Sequence, residues 1–190
     1  MKLKERTLQQ EYVYRGKILN MRVDTVELPN GKVGRREVVE YSGAVAIVAV
    51  DDEGYVLLVR QYRYAVGKEL LEIPAGKLEG GENPEAAVNR ELEEETGYTA
   101  GKLTKLLEFY STPGFTSEKM HLYLVTGLTT GQAAPDEDEF LELVRVPLDQ
   151  AVEMVKRGEI CDAKSIVGLL AANSVLGRQS SVAGNQGQNR

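Results

Sequence analysis

Short apolar runs and one turn signal indicate a small β unit over residues 1–42. The strand-like runs cover residues 12–14, 18–28 and 33–41. The sequence Pro-Asn-Gly at 29–31, between the last two runs, is a strong hairpin signal. A hairpin with one further strand is too small to be stable alone. This unit must therefore pack on the main domain or on a second chain, so we infer dimerisation.

Residues 43–176 alternate strand-like and helical patterns. The continuous apolar run at 44–50 predicts a buried strand. Further strands are predicted at 55–62, 70–73, 103–110, 121–125 and 140–146, and helices at 84–96, 147–157 and 162–176. Strands flanked by helices imply an α/β/α sandwich with a mixed sheet, although the pattern alone gives only α/β or α+β. Residues 177–190 have no apolar pattern, so we expect a mobile tail.

The first predicted helix has clear signals at both ends. Asn83 can cap it, and Pro84 suits its first position. Gly97 can end it in the left-handed conformation. At about 100° per residue, Glu91 and Glu95 fall on the same arc as the apolar residues of this helix. Two carboxylates are therefore predicted on the side that normally faces the core.

Carboxylates on the apolar side of a helix lower the stability of the fold unless a cation compensates their charge. Like charges at this spacing cost about 0.2–0.5 kcal/mol even in solvent, and half-buried carboxylates cost more. Glu94 lies just beside Glu91 and Glu95. The cluster suggests a site for a hard cation, Mg²⁺ or Mn²⁺. The alternative is a solvated acidic face with Arg90 as its internal counter-ion.

Composition narrows the class of protein. The 190 residues suit one globular domain with an appendage, and 42% hydrophobic and 27% charged residues are ordinary for a soluble protein. A net charge of −6 argues against a nucleic-acid partner. The single Cys161 excludes an intrachain disulfide and fits a reducing cytoplasm. No apolar run is long enough to span a membrane, and the N-terminal residues do not form a signal peptide.

The segment from Gly76 to Tyr98 reads G-x5-E-x7-R-E-L-x-E-E-x-G-Y and resembles the Nudix box, the signature of Nudix hydrolases. Tyr98, where the pattern usually has a smaller aliphatic residue, is the only departure. The resemblance implies the Nudix fold and the use of two to three Mg²⁺ ions, with Mn²⁺ as a substitute.

The same resemblance assigns roles within the box. Glu91 and Glu95 are expected to be the principal metal ligands, and Glu94 is a further candidate. The backbone carbonyl of Ala75 is expected to complete the site. Glu82 is expected to support these ligands from outside or to hold an outer ion. Structural roles are implied for three box residues: Gly76, Arg90 and Gly97.

A general base should come from outside the box helix, so that it faces the attacking water from the other side. The acidic loop at 136–139 offers Asp136, Glu137, Asp138 and Glu139. Members of the ADP-ribose pyrophosphatase subfamily carry their catalytic glutamate at this place. Glu139 is the first choice and Glu137 the second. The alternative is a solvated loop. The only histidine, His121, begins a strand, which favours a structural role.

Further segments resemble the ADP-sugar pyrophosphatase subfamily. Pro113 lies sixteen residues after Gly97, where that subfamily has a downstream proline. The segments at 35–40, 60–63 and 69–77 are also similar to it. The resemblance implies hydrolysis of ADP-ribose to AMP and ribose 5-phosphate. It also implies a homodimer with exchanged N-terminal β units.

Substrate-binding roles follow by the same resemblance. Arg36 and Arg63 are expected at the phosphates or the terminal ribose, because the guanidinium fork matches phosphate oxygens. Glu37 or Glu72 is expected to accept hydrogen bonds from adenine or ribose.

The loop after the box helix and the first strand supply the remaining candidates. Gly114, beside Pro113, would let the backbone approach the ligand, and Glu118 is expected to bind the terminal ribose. Tyr12 and Tyr14 are candidates for stacking on adenine, with ordinary strand packing as the alternative.

Two alternatives to this function stay open. One is a Nudix hydrolase for another nucleoside diphosphate sugar, a dinucleotide or an oxidised nucleotide. The other, of a different class, is a non-catalytic regulator that binds ADP-ribose. Such a regulator should have lost box glutamates or carry a DNA-binding extension, whereas this chain keeps Glu91, Glu94 and Glu95.

Overall fold

A computed structural model describes residues 3–134 and 139–185, with the backbone alone for 178–185. The backbone separates into two units. Among the described residues, the first comprises 3–43 and 109–119, and the second comprises 44–108, 120–134 and 139–185. The segment 109–119 belongs to the first unit, although it is distant from residues 3–43 in the sequence.

The first unit is an antiparallel sheet in the order β1-β2-β3. Its strands are β1 (Arg6–Arg15), β2 (Asn20–Glu27) and β3 (Val33–Glu40). The predicted hairpin joins β2 to β3, and Gly31 at φ +80° donates its N–H to the carbonyl of Leu28 at 2.9 Å. Within the same unit, the segment 109–119 pairs with β3, because Val39 donates to the carbonyl of Phe115 at 2.8 Å.

The second unit is built on a mixed sheet in the order β12-β5-β4-β10-β9. Strands β4 and β10 are parallel, whereas β5 pairs antiparallel with both β4 and β12. The strands of the mixed sheet are β4 (Ala44–Val50), β5 (Tyr55–Arg63), β6 (Lys68–Glu72), β7 (Ala75–Lys77), β9 (Lys102–Tyr110), β10 (Lys119–Thr126) and β12 (Glu142–Pro147). Two short strands, β8 (Tyr98–Thr99) and β11 (Thr129–Thr130), form a separate ladder.

Strands β4 and β5 pair only at one end, at Ala49 with Leu57 and Val50 with Val56. Beyond that point β4 pairs with β7, and β5 pairs with β6. The chain from β6 to β7 therefore fills the split between two central strands. This split brings the end of β6 and the start of β7 to the middle of the sheet.

Helices cover both faces of this sheet. They are α1 (Pro84–Thr96), α2 (Leu148–Lys156) and α3 (Ala163–Asn185). Helix α1 packs on the face that carries Val45 and Ile47. Helix α3 packs on the other face, because Gly168 approaches the side chains of Val48 and Leu122. Since alternate residues of a strand point to opposite faces, the predicted α/β/α arrangement with a mixed sheet is confirmed.

Several element boundaries differ from the sequence prediction. Helix α3 was predicted to end at Leu176, but it continues to Asn185. Strand β7 lies where a connection was expected. Strand β12 begins at Glu142 rather than at Phe140. In the described part of the chain, no helix is long and apolar enough to cross a membrane.

Candidate active site

Helix α1 begins and ends at the residues that the sequence indicated. Asn83 accepts a hydrogen bond from the N–H of Glu85 at 2.8 Å, and Pro84 is the first helical residue. Gly97 ends the helix at φ +72° and donates its N–H to the carbonyl of Glu93. Local capping therefore fixes where α1 begins and ends.

Two glutamates of α1 face inward together with its apolar residues. Glu91 is 9% exposed and Glu95 is 7% exposed. Val88 and Leu92 on the same side are fully buried. Glu94 remains partly exposed at the edge of this face. The predicted burial of two carboxylates is confirmed.

Glu91 packs directly against the backbone of β7. A Cβ atom placed on Gly76 would lie 1.8 Å from the carboxylate carbon of Glu91 and about as close to both oxygens. Only glycine leaves room for the carboxylate here. The place occupied by Glu91 therefore depends on a residue fifteen positions earlier in the chain.

Arg90 gathers three glutamates around one guanidinium. Its Nη1 donates to Glu91 at 2.7 Å and to Glu94 at 3.0 Å. Its Nε and Nη2 donate to Glu82 at 3.1 and 3.0 Å, and Nη2 also donates to the carbonyl of Lys77. These bonds to Arg90 lower the pKa of Glu82. Arg90 thus ties the helix to the loop before it, as a structural role requires.

Glu95 contacts the backbone at the start of β7. Its Oε2 accepts a hydrogen bond from the N–H of Ala75 at 3.2 Å. Burial, together with the charges of Glu91 and Glu139, raises the pKa of Glu95 to about 8. Burial also raises the pKa of Glu91, despite the bond from Arg90. Ionising both inward carboxylates together is therefore unfavourable unless a cation joins them.

Glu139 is exposed and lies within electrostatic reach of both inward glutamates, since its charge contributes to their raised pKa values. The second candidate base, Glu137, lies outside the described residues, as do Asp136 and Asp138.

His121 is placed in β10, with its Nδ1 3.1 Å from a carboxylate oxygen of Glu108.

Next to these glutamates lies a second charged cluster, centred on Glu72. Glu72 is 1% exposed and accepts from Arg63 through both oxygens, at 3.0 Å from Nε and 2.7 Å from Nη2. It also accepts from Lys164. Although burial opposes ionisation, these two cations hold the pKa of Glu72 below its usual value. The charges of Arg63 and Lys164 both act on Glu95.

Sequence reasoning found Arg63 and Glu72 but missed Lys164. Lys164 pairs with Glu72 across ninety-two positions of the chain, and no local pattern reports such a contact. One signal was available. Lys164 stands in the first turn of α3, where a cation is disfavoured by the helix dipole, so its presence there indicates a specific partner.

The donor set suits a hard divalent cation by chemistry. Carboxylate oxygens and the Ala75 carbonyl are the ligands that Mg²⁺ prefers. Burial and the neighbouring carboxylates raise the pKa of Glu95, so a nearby cation would favour its ionised form. Within residues 3–134 and 139–185, however, no three His, Cys, Asp or Glu side chains are arranged as a metal site. Arg90 bonds to Glu91 and Glu94, so it competes with a cation for these ligands.

The other predicted substrate-binding residues lie in the first unit. Arg36 pairs with Glu5, at 3.0 Å from Nε, and Glu37 is exposed. Pro113 and Gly114 are exposed as well. The N–H of Glu118 donates to the hydroxyl of Thr116 at 3.2 Å. Their roles in binding stay predictions.

The two tyrosines of β1 differ in their surroundings. The guanidinium of Arg15 lies 3.6 Å from the centre of the Tyr12 ring, a cation–π contact that already covers one face of that ring. Tyr14 is exposed. The stacking of either ring on adenine stays a prediction.

Two family models match the chain. The model described as the NUDIX domain matches residues 40–167. The model described as the nucleoside diphosphate sugar hydrolase N-terminal domain matches residues 5–39. Together they cover both the sheet of the first unit and the glutamate cluster of the second.

Similar proteins include two from bacilli and one solved structure. The chain is 48% identical over 165 residues to a protein named ADP-ribose pyrophosphatase from Bacillus subtilis (strain 168), covering 86% of this chain and 89% of that protein. It is 42% identical over 167 residues to a protein named methanol dehydrogenase activator from Bacillus methanolicus, covering 87% and 90%. A structure titled "Crystal structure of ADP compounds hydrolase" matches with a TM-score of 0.83 at 28% identity, covering 93% of this chain and 96% of that one.

Proposed function

We propose that this chain, which belongs to the Nudix family, hydrolyses the pyrophosphate bond of ADP-ribose to AMP and ribose 5-phosphate. The observation that carries the proposal is the buried pair Glu91 and Glu95, packed against the Ala75–Gly76 backbone. A pyrophosphate flanked by sugars is strongly anionic, so its hydrolysis needs positive charge at the oxygens and an activated water. The relative named ADP-ribose pyrophosphatase supports the substrate.

Nudix hydrolases generally use a divalent metal, and we infer two to three Mg²⁺ ions here, with Mn²⁺ as a substitute. The carboxylates of Glu91, Glu94 and Glu95 and the carbonyl of Ala75 would hold them. When bound, such ions neutralise phosphate charge and make water a better nucleophile. Glu82 is assigned a supporting role outside the ligand set, where it accepts two hydrogen bonds from Arg90.

Glu139 is our choice for the general base, because it is exposed and acts electrostatically on the inward glutamates. A base accepts a proton from the attacking water in the transition state, so its loss lowers kcat more than it raises KM. We therefore expect Glu139→Gln to reduce kcat by about 10²–10⁴ with a smaller change in KM. A larger loss in Glu137→Gln would move the role to Glu137.

Substrate recognition is assigned to the arginines. The guanidinium of Arg63 is suited to the phosphates of ADP-ribose. Arg36, Glu37, Pro113, Gly114 and Glu118 are the further substrate-binding residues that we propose on the subfamily resemblance. Substituting Arg36 by Met should raise KM for ADP-ribose, and an unchanged KM would remove it from this set.

The proposal is tested by a hydrolysis panel in Mg²⁺ with identified products. The compounds are ADP-ribose, ADP-glucose, NADH, a diadenosine polyphosphate and 8-oxo-dGTP. We expect AMP to appear fastest from ADP-ribose. If another compound is hydrolysed faster, the proposed hydrolytic reaction is still supported, but ADP-ribose is rejected as the preferred substrate.

A second candidate is a regulator, favoured by the relative named methanol dehydrogenase activator. The intact glutamates Glu91, Glu94 and Glu95 argue for catalysis. The two functions are separated by measuring binding and turnover together. Tight ADP-ribose binding without turnover of any compound would support the non-catalytic regulator.

We further propose a cytoplasmic homodimer with exchanged N-terminal units. The exposed edge strand β1 supports dimerisation, and the single cysteine favours a reducing compartment. Cell fractionation tests the location, and recovery of the protein in a secreted fraction would reject it.

A further inference from the structure

Lys164 occupies a place where a lysine is unfavourable. It is the second residue of α3, and the N-terminal end of a helix carries partial positive charge. Its side chain is also only 13% exposed. An ammonium group that is both desolvated and near a helix N-terminus needs compensating carboxylates.

Two carboxylates supply that compensation. The Nζ of Lys164 donates to Glu72 and, at 2.9 Å, to Asp162. Asp162 in turn caps α3, because it accepts from the N–H of Ser165 at 3.0 Å and from its hydroxyl at 2.7 Å. The same hydroxyl accepts from the N–H of Ile73 at 2.9 Å. The cluster thus joins the start of α3 to the chain between β6 and β7.

The far side of Glu72 holds Arg63. Two parallel bonds, from Nε and Nη2, fix the plane of the guanidinium. Among the described residues, Nη1 of Arg63 donates no hydrogen bond, and the side chain is 40% exposed. Within that part of the chain, one edge of Arg63 is therefore available to an anion, while Glu72 itself is enclosed and both of its oxygens accept hydrogen bonds.

We propose that Lys164 is a positioning residue for substrate: by holding Glu72, it fixes the guanidinium of Arg63 for a phosphate of a nucleoside diphosphate compound. This inference rests on the proposed function of the same site. Under this inference Glu72 orients Arg63. This role replaces the contact with adenine or ribose that the sequence predicted for Glu72. Without Lys164, the Glu72 carboxylate loses one of its two cationic partners, and the orientation of the Arg63 fork is less restricted.

The competing explanation is that Lys164 only pins α3 to β6. A double-mutant cycle separates the two, because a residue acting through Arg63 has no effect on binding once Arg63 is gone. The variants are Lys164→Met, Arg63→Met and the double variant. Lys164→Arg keeps the charge, and Lys156→Met is a control at a lysine that is paired with Glu153 but exposed on α2.

The readouts are KM and kcat for ADP-ribose in Mg²⁺, the Kd of ADP-ribose in EDTA, and Tm. We expect Lys164→Met to raise KM and the metal-free Kd about tenfold and to lower kcat by less than about threefold. In the Arg63→Met background the same substitution should change neither KM nor Kd. Lys164→Arg should recover most of the affinity, and Lys156→Met should match the wild type.

An equal rise in KM in both backgrounds would overturn the inference, as would a lowered Tm with unchanged KM and Kd. If the wild type prefers another compound of the panel, the proposed substrate fails, and the same cycle on that compound still decides the role of Lys164. If nothing is hydrolysed, the cycle on the metal-free Kd decides it. A wild type that neither hydrolyses nor binds any of these compounds overturns both proposals.

Discussion

Glu95 is a carboxylate at a place where packing alone would favour a leucine. It lies on the buried side of α1, where it accepts a hydrogen bond from the backbone N–H of Ala75. Such a residue lowers stability unless a cation joins it. Its presence is therefore better explained by a ligand than by the fold.

We expect Glu95→Gln to lower turnover by several orders of magnitude while the protein stays folded. The substitution removes a charged oxygen ligand and changes little volume. The checks are kcat with Mg²⁺ and a thermal melt followed by circular dichroism. Glu93→Gln, on the exposed side of the same helix, is the matched control and should retain activity. Unchanged turnover in Glu95→Gln would reject the metal assignment.

The raised pKa of Glu95 also predicts a pH dependence of stability in EDTA. The folded-state pKa is about 8 against an ordinary value of 4.5, so the folded state binds more protons between these two pH values. Stability contributed by this group therefore falls as pH rises through this window. The loss is complete above the folded-state pKa.

Glu95→Gln has no such titration, so its stability advantage over the wild type should grow from pH 5 to pH 8. The expected difference at pH 8 is on the order of a few kcal/mol. Urea unfolding of both proteins in EDTA at three pH values measures it. A constant difference across this range would contradict the raised pKa.

Gly76 offers a second test at the residue scale. A methyl group there would overlap the carboxylate of Glu91, which must then leave the backbone of β7. Because a displacement of about 1 Å can cost about a hundredfold in rate, we expect Gly76→Ala to lower kcat by about that factor. Gly80→Ala is the control, since nothing lies within 4 Å of its added methyl. Equal activities of the two variants would refute the packing argument.

The residues of this site were predictable to different degrees. Glu91 and Glu95 could be found because helical periodicity and the box spacing are local in sequence. Lys164 could not, because its contact with Glu72 is set by how α3 docks on the sheet. The carboxylate of Glu72 shows the same limit, since its partners come from β5 and α3.

At the scale of elements, local signals predicted α1 well and β7 poorly. The caps of α1 lie within its own segment. Strand β7 has three residues and exists because β4 and β5 diverge and leave an edge for it to pair with. Such pairing is decided by tertiary structure, and short strands give little periodicity.

The packing of α3 on the sheet gives a prediction for an element. A Cβ at Gly168 would lie 2.8 Å from Ile73 Cδ1 and 3.0 Å from Val48 Cγ2. We expect Gly168→Val to overpack this contact and to lower the free energy of unfolding by about 1–3 kcal/mol. Urea denaturation measures the change.

The control for this prediction is Gly177→Val in the same helix, where nothing lies within 4 Å of an added Cβ. There the substitution should be neutral or slightly stabilising, because valine has a higher helix propensity than glycine. If both variants lose the same stability, the effect comes from the helix and not from its contact with the sheet.

At the scale of the whole molecule, the exposed strand β1 requires an explanation. It forms the edge of its sheet, all ten of its residues are exposed, and Leu8, Val13 and Tyr14 are among them. A long edge strand with apolar side chains is a template for pairing with another chain. The sequence pointed to the same conclusion, because the N-terminal unit is too small to be stable alone.

We therefore expect the wild type to sediment as a dimer over a wide range of concentrations. The double substitution Leu8→Lys with Val13→Lys places two charges on the edge strand and should shift the protein to monomer. Val33→Lys is the matched control, because Val33 is an exposed apolar residue on β3, at the other edge of the same sheet. Dissociation by Val33→Lys alone would place the contact on β3 instead. If the wild type is monomeric at every concentration, β1 does not pair with a second chain and the proposed dimer is rejected.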